Sequence, residues 1–503
     1  MNVLHVASEV APFSKTGGLG DVLWALPKAL AQQGAGRVTV VSARYGSIDP
    51  QQHGLAKRLR KLAVSVGGQS FEVGLYEGRL PGPGPQVMVY LIDHPLFADR
   101  PGVYGPPGNP GEGYPDNALR FALLSQAAIC LAKELTPRPD VIHAHDWQAG
   151  LAVYYAQKAD WDTPPATVFT VHNLMFQGLF SLAEARHLGV RDDLLTPDGI
   201  EFYGQASFIK AGLQLADRLT TVSPRYAEEI ATPEFGYGLD GVMRARSGRL
   251  SGILNGVDYD RWSPWSDGAL PARFGKPAAE LDALSEDAFA ADLVGKARCK
   301  AELQRELSLP LRPRTPLLAT ISRLTDQKGI DLLIEWLESE LTQRTEFQFV
   351  LLGQGDPAFE QRLRMLSERF PTRLAVRLAF DEGLAHRIEA GSDFFVMPSR
   401  FEPCGLNQIY SMRYATVPIV RATGGLYDTV VDFDARSRSG TGFTFQPFSV
   451  AALGHAVRRA LSAYHSDEQS FLGLQKRAMR ADFGWAASAR AYLNVYRQAQ
   501  SGK

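Results

Sequence analysis

Cysteine is scarce, with three residues, Cys130, Cys299 and Cys404, in a chain of 503. The odd count and irregular spacing exclude a disulfide framework and offer no metal-binding pattern, which points to a reducing compartment, most simply the cytoplasm. Excess charge is also missing, since 53 lysines and arginines face 54 aspartates and glutamates, for a formal net charge of -1. Neither nucleic acid nor an anionic membrane is therefore an expected partner, and a charged ligand has to be met by groups gathered locally. No apolar run approaches the ~18 residues of a membrane-spanning helix. The first such run meets Glu9 and has no basic segment before it, so no secretory leader is expected. Two familiar phosphate motifs are absent as well. The glycine-rich stretch KTGGLGDV, residues 15–22, carries Lys15 before its glycines, unlike a P-loop, and Leu23 stands where a dinucleotide fingerprint needs its third glycine.

The context of that stretch still suits an anion. Residues 3–7, VLHVA, read as a buried parallel strand, and 18–33 read as a helix with Leu19, Val22, Leu23, Leu26 and Leu30 on one face. A strand, a glycine-rich turn and a helix N-terminus bring free backbone N–H groups and a positive dipole end to one place. The alternative is that the glycines only let the turn pack tightly.

A chain of this length exceeds a single hydrophobic core and predicts two or three domains. Val/Ile/Leu-rich runs at 37–43, 86–93, 140–145, 166–172 and 218–223 alternate with helical patterns, the mark of an α/β fold with a largely parallel sheet. After a stretch rich in Trp, Pro, Ser and Asp at 258–267, the alternation restarts at 316–321 and continues through 347–353, 373–379, 393–398 and 417–421. TGGLGD at 16–21 is echoed by TGGLYD at 423–428, each between a strand and a helix. Two doubly wound domains presenting such turns at the carboxyl ends of their strands predict a ligand cleft between them.

Four segments place reactive side chains at predicted strand ends: HAHDW at 143–147, VHN at 171–173, SRLTDQKG at 322–329 and SRFEPCGL at 399–406. Arg323 and Lys328, five positions apart in a strand-to-helix loop, can both point at a diphosphate, although a solvated loop would carry the same charges. His143 and His145 share a strand face, so with Asp146 a metal site is conceivable, but no third ligand is evident and no metal is expected. The triplets Asp258-Tyr259-Asp260 and Asp432-Phe433-Asp434 are too short to imply a cation. Trp262 and Trp265 either stack on sugar rings or cover a hinge. Glu402, on a tight turn leading into a helix, is either a structural N-terminal acid or a carboxylate reaching past a bound anion.

Taken together, KTGGLGDV, HAHDW, TVHN, ILNGVD, SRLTDQKG, SRFEPCGLNQIY and TGGLYDTV resemble, in order and approximate spacing over nearly the whole chain, the bacterial glycogen synthases and plant starch synthases of glycosyltransferase family 5. The resemblance implies a GT-B architecture, two Rossmann-like doubly wound domains facing across a deep cleft. The expected bounds are 1–258 for the acceptor-side domain, 259–484 for the donor-side domain and 485–503 for a C-terminal helix, patterned over 486–498, that returns to the first. It further implies retaining transfer of glucose from ADP-glucose to the non-reducing end of an α-1,4-glucan, with no cofactor. By motif, His172, Arg323, Lys328 and Glu402 resemble the catalytic set: the histidine near the transferred glucose, the diphosphate-binding pair and the glutamate that contacts the sugar. Lys15, Gly18, Asp21, Asp146, Asn173 and Asn255, with Cys404, Gly405, Leu406, Thr423 and Gly424, look like substrate-binding groups. On this view Lys15 stands outside its turn because the turn closes on a donor held mostly by the other domain. Two positions depart from related GT-B enzymes: Tyr410 replaces a second glutamate eight residues after the first, as it does throughout family 5, and Ala98 falls where some relatives have an aromatic against adenine. The alternatives are a transferase using UDP-glucose or a small acceptor, and a catalytically silent glucan-binding protein. Oligomeric state is not legible.

Overall fold

The computed structural model describes residues 1–107, 112–343, 345–466 and 468–502. It contains two compact units, Met1–Gly256 with Trp485–Lys503, and Val257–Gly484. No helix among the described residues is long and apolar enough to cross a membrane.

In the first unit the apolar runs become strands buried along their whole length, Val3–Val6, Val38–Ala43, Val141–His145 and Ala166–Val171. Burial on both faces is why they read as continuous apolar runs instead of alternating ones. The sheet is ordered Leu250–Gly252, Arg218–Thr221, Ala166–Val171, Val141–His145, Val3–Val6, Val38–Ala43, Met88–Asp93, Gln69–Arg79 and Ala56–Lys57, with Leu62–Val66 paired to Gln69–Arg79. It is parallel as far as Met88–Asp93 and antiparallel beyond. The antiparallel edge was not expected, and neither was a small sheet of Leu179–Ser181, Glu201–Phe202 and Gln205–Ser207. The last helix, Trp485–Ser501, packs against helix Gly18–Gln32 and strand Ala166–Val171.

The second unit carries a six-stranded parallel sheet ordered Leu374–Arg377, Gln348–Leu352, Leu317–Ile321, Phe394–Met397, Val417–Arg421, Phe443–Phe445. Neighbouring residues of each strand enter opposite cores. Leu318, Phe349, Leu351 and Phe394 join one apolar cluster with Trp336 and Leu453, whereas Ala319, Val350 and Phe395 join another with Leu303 and Leu426. That two-sided burial follows from the period of two along a strand combined with helices on both faces.

Both sheets reverse their winding once. In the first, Val3–Val6 lies between Val38–Ala43, which follows it directly in the parallel sheet, and Val141–His145, reached only later. In the second, Leu317–Ile321 lies between Gln348–Leu352 and Phe394–Met397 in the same way. Loops leaving the carboxyl ends of strands at such a switch point diverge, and the gap between them is where ligands of these sheets bind.

Candidate active site

At the switch point of the first unit, the loop after Val3–Val6 is tied down by a carboxylate that no motif had singled out. Glu9, 2% exposed, accepts from Thr16 N at 2.5 Å, Thr16 Oγ1 at 2.7 Å and Gly17 N at 3.2 Å, and the Tyr104 hydroxyl donates to it as well. The glycine-rich turn is therefore wrapped around Glu9. Lys15 projects from it into solvent and pairs with Asp21 in the first turn of the following helix, Nζ to Oδ1 2.9 Å. Gly18 is the first residue of that helix and is exposed.

Across the switch point, Asp146 leaves strand Val141–His145 with φ +55, a conformation uncommon outside glycine. The turn aims its Oδ1 at the backbone N–H of His172, 2.7 Å away. Burial pushes the Asp146 carboxyl up to about 7, and the backbone amides of His172 and Asn173 pull the other way. His172 is half-buried, its Nε2 lies 3.0 Å from His145 Nδ1, and burial lowers it to about 3, so the ring is neutral. Asn173 turns its Oδ1 onto Met175 N at 3.1 Å. Lys15, Gly18, Asp21, Asp146, His172 and Asn173 thus belong to loops around one switch point. Asn255 sits elsewhere, beside the Gly256–Val257 crossing into the second unit, with a buried Oδ1 that has no partner among the described residues.

In the second unit the two strands flanking the switch point end in the SRLTDQKG and SRFEPCGL loops, and an ion pair joins them: Lys328 Nζ to Glu402 Oε2 is 2.6 Å. Ser399 Oγ donates to the same oxygen at 3.0 Å, and Arg400 N donates to Gln327 O at 2.9 Å, fastening loop to loop. Glu402 is 4% exposed, so its charge is compensated chiefly by these two groups. Arg323 is exposed, and its side chain has no hydrogen-bond or ion-pair partner among the described residues.

The TGGLYD turn closes on the same carboxylate residue. Gly425 N donates to Glu402 O at 3.0 Å, and Gly424 has φ +44 with a Cβ that would lie 1.9 Å from that oxygen. Only glycine fits there. Gly329, φ +67, meets the backbone of Pro398 at 2.1 Å from its would-be Cβ, so the lysine loop is also packed glycine-tight against the glutamate loop. Thr423 precedes helix Gly424–Thr429 as its N-cap and is buried. Cys404 and Gly405 are held by Gln408, whose Nε2 donates to both carbonyls at 3.1 Å, and Leu406 caps helix Asn407–Arg413.

Other readings resolve differently. Trp262 is sandwiched between His386 and Tyr410, ring centroids 3.8 and 4.0 Å away, and Trp265 lies under the Arg413 guanidinium, so neither offers a free ring face on that side. Tyr410, at the position of the second glutamate, is part of that stack. Asp432 pairs with Arg459 and Asp434 accepts from the backbone of Arg436 and Ser437, which engages the carboxylates of that triplet. The histidine pair has a third neighbour, His5, one strand over.

The family description "Starch synthase catalytic domain" matches residues 2–245, and "Glycosyl transferases group 1" matches 306–471. The chain is 49% identical over 504 residues to a glycogen synthase of Anaeromyxobacter sp. (strain Fw109-5), covering 99% of each, and 44% identical over 504 residues to that of Thioalkalivibrio sulfidiphilus, again 99% of each. Among solved structures, the catalytic domain of Starch Synthase IV from Arabidopsis thaliana, bound to ADP and acarbose, matches with a TM-score of 0.87 and 33% identity over 99% of both chains. A sucrose-phosphate synthase from Thermosynechococcus elongatus, 19% identical with a TM-score of 0.58, shares the fold alone. With close relatives spanning both units, the chain belongs to the glycogen synthase and starch synthase family of GT-B glucosyltransferases.

Proposed function

We propose that the protein transfers glucose from ADP-glucose to the non-reducing end of an α-1,4-glucan, with retention of configuration, in the cytoplasm. The bond from the anomeric carbon to the diphosphate breaks, a bond to the acceptor 4-hydroxyl forms, and that hydroxyl's proton leaves with ADP. Negative charge grows on the diphosphate while the sugar becomes oxocarbenium-like, so catalysis requires cations at one end and a carboxylate nearby. The observation that carries this reading is the Lys328–Glu402 pair, 2.6 Å across the switch point of the second unit, with the exposed Arg323 in the same loop as Lys328. In this assignment Lys328 and Arg323 bind the diphosphate, with the Cys404–Leu406 turn, Thr423 and Gly424 beside it. Glu402 stands at the glucose.

Lys15, Gly18 and Asp21, with Asp146, His172 and Asn173, are assigned to the sugar and acceptor side, and Asn255 to the crossing between the units. His172, neutral at pH 7, serves there as a hydrogen-bonding group and not as a cation. The test is incorporation of labelled glucose into glycogen from ADP-glucose and, separately, from UDP-glucose. Efficient incorporation from ADP-glucose alone is expected. Preference for UDP-glucose would overturn the donor, and glucan binding without any ADP release would overturn the activity.

A further inference from the structure

Behind His172 the first unit buries three more histidines. His172 Nε2 lies 3.0 Å from His145 Nδ1, and His145 Nε2 lies 3.0 Å from His5 Nδ1, so three rings form an unbranched hydrogen-bonded chain. His5 and His145 are fully buried. The chain ends at His5 Nε2, which is buried without a partner among the described residues. At the other end, His172 Nδ1 has no protein partner among the described residues, and the ring is half-buried. His143 stands apart, because its Nδ1 meets the Tyr496 hydroxyl at 2.8 Å and its Nε2 meets Thr170 Oγ1 at 2.6 Å.

All these rings are neutral, since burial lowers His5 and His172 to about 3 and His143 and His145 well below the usual histidine range. A neutral imidazole has one N–H, and its tautomer is set by what the other nitrogen contacts. The middle ring, His145, can send its single proton only one way. Both N···N contacts are therefore hydrogen bonds only if all three rings point the same way. If every proton points towards His5, its Nε2 carries a buried N–H with nothing to receive it. If every proton points towards His172, His5 Nε2 is a bare lone pair, and no buried donor is orphaned. Orphaned buried donors are the rarer and costlier defect.

A metal does not account for the cluster. His5, His143 and His145 each bring a ligand atom within 4.8 Å of the others. Zinc, however, needs ~2.0–2.1 Å to each of several nitrogens aimed at one point. Here both nitrogens of His145 and both of His143 are already engaged in separate directions.

We propose that His5 and His145 are positioning residues that fix His172 as its Nδ1–H tautomer, so that His172 presents a hydrogen-bond donor, not an acceptor, to a ligand oxygen. The orientation of the chain is written by the orphaned end, His5, whose Nδ1–H donates to His145, which in turn donates to His172. The inference rests on the reading of His172 as a ligand-contacting group, but its physical core, the proton order, exists without ligand. A transferred sugar in contact with that donor would be recognised through an acceptor lone pair of one hydroxyl.

The experiment is long-range 15N–1H correlation spectroscopy on the full-length protein labelled at its histidine rings, with signals assigned by single substitutions. The unliganded wild type should show Nδ1 protonated in His172, His145 and His5. His145→Phe keeps a ring but removes the group that donates to His172 Nε2, so the His172 pattern should shift towards Nε2–H or a mixture. Its kcat/KM for ADP-glucose should fall roughly tenfold, the scale of one lost neutral hydrogen bond. His145→Asn, whose amide N–H stands near the place of Nδ1–H, should restore both the pattern and most of the activity. An Nε2–H His172 in the wild type, or a His172 pattern untouched by His145→Phe in a folded protein, overturns the proposal. So does stoichiometric zinc by elemental analysis together with a metal-shifted His145 signal. If His145→Phe does not fold, the wild-type spectrum and His145→Asn decide. Normal activity in His172→Ala would remove the ligand role while leaving the measured proton order standing.

Discussion

The two units solve the same topological problem with different electrostatics. Each winds a parallel sheet outward from a first strand and reverses beside it, and each places its motif loops at that reversal. In the first unit Glu9 is engaged by its own turn and the Lys15–Asp21 pair lies at the surface, beside neutral rings and a half-buried acid, Asp146, held up to about 7 by burial. In the second the groups there are a more buried ion pair, Lys328 and Glu402, 2.6 Å apart. The topology dictates where a ligand sits, and the loops dictate what it meets. Neutral donors and acceptors suit hydroxyl-rich sugar, whereas concentrated charge suits a leaving diphosphate.

Substitutions in the charged pair should break this contrast most severely. Glu402→Gln keeps volume and hydrogen bonding but removes the charge that the proposed assignment sets against the sugar, so kcat should drop by about a hundredfold or more while ADP binding changes little. Lys328→Ala should lower kcat by at least about tenfold and weaken ADP, since a charge-assisted contact contributes roughly 1.5–3 kcal/mol. It also strands a carboxylate that is 4% exposed. The double variant should therefore lose less than the two single losses combined. Turnover and ADP titration for all three variants check this. Near-normal kcat in Glu402→Gln, or additive losses, would remove the pair from the chemistry.

The strands were legible because parallel strands buried on both faces leave uninterrupted Val/Ile/Leu runs, and the expected 37–43, 347–353 and 393–398 appear as Val38–Ala43, Gln348–Leu352 and Phe394–Met397. Lys328 and Glu402 stand out in the sequence because their motifs are contiguous, and the structure pairs the two side chains. Groups whose meaning lies in a distant partner do not stand out. His5 looks like one polar residue in an apolar strand until the parallel register sets it beside His143, and its hydrogen bond is to a residue 140 positions away. Glu9 reads as the end of an apolar run, yet it organises a turn seven residues later. Gln69–Arg79 and its hairpin partner were missed because their half-exposed alternation is weaker than a buried run.

The acid of the first unit gives a pH test of the same comparison. A carboxyl held at about 7 when folded keeps its proton more tightly than in the unfolded chain. Its contribution is fully present below the ordinary aspartate value and is lost as pH rises towards 7. Asp146→Asn is neutral throughout, so relative to wild type it should gain about 1–3 kcal/mol between roughly pH 4 and 7, the shift being discounted for partial exposure. Denaturant unfolding across that range measures it. A gap that does not change with pH would show that the carboxylate is better compensated than its surroundings suggest.

The smallest expected effect separates stability from chemistry within the histidine cluster itself. Tyr496, fully buried on the last helix, places its hydroxyl 2.8 Å from His143 Nδ1, and His143 reaches Thr170 with its other nitrogen. His143 takes no part in the chain that ends at His172, so this bond fastens the helix and should do nothing for turnover. Tyr496→Phe leaves the ring in place and deletes one partner of a buried imidazole, which should cost about 1–2 kcal/mol in unfolding free energy. Activity at a temperature where the variant is folded should match wild type, and the His172 tautomer should be unchanged. A loss of kcat at full folding would instead join His143 and the terminal helix to the active centre. The first unit's polar core would then be a single four-histidine network, not a relay lying beside a structural bond.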